Sequence, residues 1–173
     1  MINSCGSSVI AGYSSAVKLN TFAVTSFNTL SNGVSGFTAQ NLGGKRQDRI
    51  KAGLRSGLEL ASIVAIVFFV VFFFFREDCI GLFLEEKGQK ALETGTDFLK
   101  TVSPFYLVVM IKLLADGVLR GAGWASAFMA TTFTDLILRV ALSFILFPYY
   151  GTDGIWMSWP IGWSVSMVLS LSF

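Results

Sequence analysis

The chain has 173 residues, 53% of them hydrophobic and only 14% charged, with a mean hydropathy of +0.65. Soluble domains carry about 25% charged residues, so this composition excludes an ordinary soluble protein and describes one that lives in a membrane. Net charge is +2, which gives no basic field for nucleic acid; there is no histidine, and Cys5 and Cys79 are isolated, so neither a His-based catalytic site nor a Cys/His metal site or CxxC pair has its parts.

In chain order, the pattern predicts about five membrane-spanning helices near 15–42, 56–75, 101–119, 124–147 and 154–173. The first is the most polar. Thr21, Thr25, Asn28, Asn32 and Ser35 recur at spacings of three and four, while Phe27, Leu30, Val34 and Phe37 repeat on nearly the opposite side. The apolar side is expected to face lipid, and the polar side either packs on other helices through small residues or lines a cavity open to water or substrate. The second span, SGLELASIVAIVFFVVFFFF, holds one acid, Glu59, and has the roughly twenty residues needed to cross hydrocarbon. Between these spans, Lys45, Arg46, Arg49, Lys51 and Arg55 stand against Asp48 alone, so the positive-inside rule makes 45–55 a cytoplasmic loop of a multi-pass protein of the cell membrane.

The connection from Arg76 to Lys100 is acidic, with Glu77, Asp78, Glu85, Glu86, Glu93 and Asp97, and falls outside; it reads equally as a short helix on the membrane surface or as a solvated loop. The third span contains LVVMIKLLADGVLRG, in which Lys112, Asp116 and Arg120 interrupt an apolar run at a spacing of four and therefore share one helix face. The fourth repeats the device with Thr131, Asp135 and Arg139. The two spans are joined by the short turn GAG and are expected to be antiparallel neighbours. At about 1.5 Å per residue from that turn, Lys112 lies about 12 Å deep and Asp135 about 17 to 18 Å, so the two could pair, while Asp116 can reach Lys112 or Arg120 along its own helix. Arg120, near the cytoplasmic surface, is expected to snorkel as a topological anchor. Gly117 with Gly121, and Gly53 with Gly57, form GxxxG pairs of weak specificity. The last span has no charge within it, and Trp156, Trp159 and Trp163 read with Tyr149 and Tyr150 as an interfacial aromatic belt.

This orientation places Met1 outside, yet the start MINSCGSSVIAGYSS has no signal that would translocate it, and the chain stops within an apolar run. The expectation is a piece of a longer membrane protein that lacks at least one preceding helix. Ionisable groups in spans either pair as a structural network or exchange protons or cations during transport, and both readings stand for Lys112, Asp116, Asp135 and Arg139.

At three blocks the chain resembles the MATE (multidrug and toxic compound extrusion) family of secondary transporters. They are SFNTLSNGVSGFTAQNLGGKRQDRIKAGLRSGL, SPFYLVVMIKLLADGVLRGAG, and TDLILRVALSFIL followed by GIWMSWPIGW, which lie between Ser26 and Trp163 within a resemblance that runs from Gly12 to Trp163. The resemblance implies an all-α membrane protein, with residues 1–173 forming part of the carboxy-terminal six-helix lobe of a twelve-helix transporter. It implies efflux of small amphipathic or cationic substrates by antiport with sodium ions or protons, the other lobe and the bilayer as partners, and no cofactor. Where sodium-coupled members carry an acid in the third span, this chain has Met110. Asn28, Asn32, Lys112, Asp116, Asp135 and Arg139 are the residues expected to border the substrate or ion pathway. A lipid-linked sugar flippase of the same superfamily is the alternative. Nothing favours an intramembrane enzyme, since neither a GxGD acid pair nor a GxSxG nucleophile is present.

Overall fold

A computed structural model describes residues 6–84 and 88–173; Cys5, Glu85 and Glu86 lie outside the described residues. The order is α1 (Ser7–Gly43), α2 (Gln47–Phe74), α3 (Arg76–Phe83), α4 (Gln89–Val102), a single 3-10 turn (Ser103–Phe105), α5 (Tyr106–Gly121), α6 (Ala125–Tyr150) and α7 (Thr152–Ser172). Three helical runs are long and apolar enough to cross a membrane by length and composition: Gln47–Phe74, Gln89–Gly121 and Ala125–Tyr150. The polar positions of α1 and the serines of α7 dilute their hydropathy, yet α1, at 37 residues, is about 55 Å long, ample to span.

The centre of the bundle is α1, which packs against α2, α4 and α5; α7 packs against α5 and α6. Gly123 (φ 80°) and Gly151 (φ 58°) reverse the chain at the ends of α5 and α6 in the left-handed region, where a side chain would be strained. At the α1–α5 crossing, a Cβ on Gly117 would lie 2.6 Å from the Ser31 carbonyl oxygen, and one on Gly121 would collide with that of Ser35. The GxxxG pair is thus where the two backbones touch, the close approach that small residues permit.

Several expectations are corrected. Phe27 and Val34 do not face lipid: Phe27 is fully buried with its ring 5.9 Å from Phe68 and 6.0 Å from Tyr106, and Val34 is also in the core. Thr21, Thr25 and Asn32 are the exposed side of α1. Within the stretch after α2, α4 is neither a surface helix nor a loop, because it presents Ala91, Gly95, Phe98, Leu99 and Val102 to the core while Lys90, Glu93, Asp97 and Lys100 point away. That one-sided pattern carries α4 through the turn directly into α5.

The tryptophans are not a belt. Trp156 and Trp163 are buried, with Trp156 stacked on Tyr13 at 4.9 Å and Trp159 edge-on to Trp163; only Tyr149 and Tyr150 lie exposed, as an interface position requires. Finally, α6 packs chiefly on α7 and meets α5 far less, so sequence adjacency of the third and fourth spans does not make them principal neighbours.

Candidate functional site

The charged ladders divide into two pairs, each closed within its own helix. On α5, Lys112 Nζ lies 2.7 Å from Asp116 Oδ2, with both residues buried. On α6, an Arg139 guanidinium nitrogen lies 2.9 Å from Asp135 Oδ2. The expected Lys112 to Asp135 pair does not form, since the i, i+4 geometry already puts an acid within reach of each base. Arg120 does not snorkel: it donates to Ser31 Oγ at 2.9 Å and covers the Phe128 ring, with its guanidinium carbon 5.2 Å from the centroid.

Asp116 bridges to two further helices. Its second oxygen accepts from Thr131 at 2.9 Å and from Ser170 at 2.7 Å, so one carboxylate ties α5 to α6 and α7. Hydrogen bonds to a charged acceptor are roughly twice as strong as neutral ones, and the two hydroxyls together with the Lys112 charge offset the removal of this group from water.

Asp135 is not saturated. Its Oδ1 is buried without a hydrogen-bond partner among the described residues, and the residue lines a cavity of about 300 Å³. α1 contributes Asn20 and Asn28 to the lining, α5 contributes Lys112, α6 contributes Asp135 and Arg139, and α7 contributes Trp159 and Trp163. Arg139 also lies over the Trp159 ring, 4.8 Å from its centroid, so its charge is shared between a carboxylate and an aromatic face. Gly162 makes room for the pair: a Cβ there would sit 2.6 Å from Arg139 Cγ and 2.9 Å from Asp135 Oδ1.

Of the residues expected at the pathway, Asn28, Lys112, Asp135 and Arg139 converge on this cavity. Asp116 turns away from it into the α6–α7 contact, and Asn32 is exposed further along α1. Sequence reasoning missed Asn20, Trp159, Trp163, Gly162 and Ser170. Asn20 was findable, since it precedes Asn28 by eight residues, close to two helical turns. The Asn20 side-chain oxygen Oδ1 is likewise buried without a partner among the described residues. Among those residues, no three His, Cys, Asp or Glu side chains come together to hold a metal ion.

Comparison with known proteins agrees with this architecture. The chain is 25% identical to the probable multidrug resistance protein YoeA of Bacillus subtilis (strain 168), over 97% of this chain and 36% of that protein. A solved structure described as the inward-facing conformation of a multidrug resistance MATE family transporter of the MOP superfamily superposes with a TM-score of 0.82, at 16% identity, over 93% of this chain and 38% of that one. The chain therefore spans little more than a third of the length of these relatives. The MatE family model matches residues 1–145. On that match the chain belongs to the MatE family, whose members are transporters and not enzymes.

Proposed function

We propose that this chain forms part of a secondary active multidrug transporter and that the cavity between α1, α5, α6 and α7 borders its substrate or ion pathway. The observation that carries the reading is Asp135, which lines a polar cavity beside Arg139 and keeps one buried carboxylate oxygen without a hydrogen-bond partner among the described residues. Ionisable groups are retained in membrane helices where they pair or line a pathway, and Asp135 does both. A cationic substrate, a sodium ion or a proton competes with Arg139 for the carboxylate. Arg139 keeps a second resting place over Trp159 when it is displaced.

Such a competition supports antiport, because one carboxylate serves two cations in turn, and the access of each is set by a second bundle rocking against this one. The missing lobe is the partner that supplies that bundle, and the basic segment 45–55, which from Gln47 onward is the first turns of α2 and not a loop, lies in the cytoplasm. The flippase alternative is not favoured: in the cavity at Asp135, Lys112 and Arg139 are each neutralised by an acid on their own helix, which leaves that cavity without a net cationic lining for a pyrophosphate. The test is efflux of a cationic dye from cells expressing the completed protein with Asp135→Asn. Transport should be lost at unchanged abundance, and full efflux by that variant would remove Asp135 from the pathway.

A further inference from the structure

A second concavity lies at the other side of α1, where it diverges from α2 next to the basic segment. It is a groove of about 650 Å³ whose wall includes Gly33, Val34 and Phe37 on α1 and Gly53, Gly57 and Leu60 on α2, with Arg49 at its mouth. Arg46 and Lys51 stand exposed beside Arg49, and among the described residues none of these three, nor Lys45, has an acid within ion-pair distance. The 28-residue α2 begins at Gln47, so the positive end of its dipole sits at the same mouth. Beyond Leu60 the groove runs onto an apolar face formed by Ile63, Ile66 and Val67, each about half exposed or more, which in a membrane helix is the face turned to lipid.

The geometry points to a binding site for an anionic phospholipid, with its phosphate held by Arg46, Arg49 and Lys51 and an acyl chain lying in the α1–α2 groove. Unpaired bases at the level of the headgroups attract anionic lipid, and a groove that continues into the lipid-facing surface accepts the chain that must follow. On the α1 wall Gly33 opens onto free space, while Gly53 and Gly57 of α2 receive Phe37 and Val34 and so set the floor of the groove. The site requires only that the protein sits in a bilayer and is separate from the cavity at Asp135, so its failure leaves the transport reading untouched.

Native mass spectrometry of the 173-residue chain, released from detergent with phosphatidylglycerol or phosphatidylcholine, tests it. Each basic residue near a lipid surface contributes on the order of fivefold to affinity. Phosphatidylglycerol should therefore bind about tenfold or more tightly than phosphatidylcholine, and the triple variant Arg46→Gln, Arg49→Gln, Lys51→Gln should erase the difference. A Cβ on Gly33 meets nothing within 4 Å, so Gly33→Leu fills the groove without disturbing the fold, and it should lower phosphatidylglycerol binding with every charge in place. Helical content by circular dichroism identifies any variant that misfolds. Equal binding of the two lipids, or a preference that survives the triple variant, would overturn the proposal. Unchanged binding in Gly33→Leu would overturn the groove. Loss of the preference in 10 mM inorganic phosphate would give the bases to a free anion instead of a lipid.

Discussion

Breaking the Lys112–Asp116 pair tests the division between a structural charge pair and a working one. Lys112 is 5% exposed and Asp116 1%, so solvent screens neither. Lys112→Met keeps the length and apolar stem of the side chain but leaves Asp116 with only the hydroxyls of Thr131 and Ser170. Removing one member of a buried pair costs about 3–5 kcal/mol. At about 2–4 °C per kcal/mol for a chain of this size, Tm falls by roughly 10 °C. Adding Asp116→Asn removes the stranded charge, while the amide oxygen still accepts from Thr131 and Ser170, so the double variant should recover most of that loss. Thermal unfolding in detergent, followed by circular dichroism, measures both steps. A single variant as stable as the parent, or a double variant no better than the single, would refute the assignment of this pair to the fold.

Three further outcomes are expected. Gly117→Ala and Gly121→Ala should each destabilise by about 1–3 kcal/mol in the same assay, because the added methyl meets the α1 backbone at Ser31 or Ser35 and neither carbonyl can turn aside. In a background free of Cys5 and Cys79, a cysteine at Asp48 should react with membrane-impermeant maleimide only in inverted vesicles; labelling from outside intact cells would reverse the topology. Residues 1–173 expressed alone should give no drug resistance above vector control, since one bundle has nothing to rock against, and resistance from monomeric chain would contradict the two-lobe mechanism.

What could be read from the sequence, and what could not, follows from the solvent. A helix in lipid and a helix in a protein core meet equally apolar surroundings, so apolar periodicity separates a polar side from an apolar one without saying which neighbour the apolar side has. Phe27 and Val34 were legible as one face of α1; that the face meets Phe68 and Tyr106 instead of lipid was not. The tryptophans of α7 failed for the same reason, since an indole suits a headgroup region and a buried ring stack alike, and only Tyr13 across the bundle decides for Trp156.

The charges were legible where their partners are local. Spacing by four is a property of one helix, so the ladders on α5 and α6 were visible, but spacing alone left Asp116 a choice between Lys112 and Arg120, which Ser31 decides by taking Arg120. Which pair stays shut depends on residues far along the chain. Ser170, 54 positions from Asp116, completes one carboxylate, and Gly162 leaves room beside the other. Two acids with the same i, i+4 base thus differ through the third helix that reaches them: α7 brings a hydroxyl to Asp116 and only a hydrogen-sized side chain to Asp135. The room beside Asp135 is therefore set by the absence of a side chain at position 162, and Gly162→Ser, whose Cβ would press on Arg139 Cγ and Asp135 Oδ1, should displace the pair from the site. In the completed protein, dye efflux should fall with abundance held. Efflux equal to the parent would mean that Asp135 is not where the cation is taken.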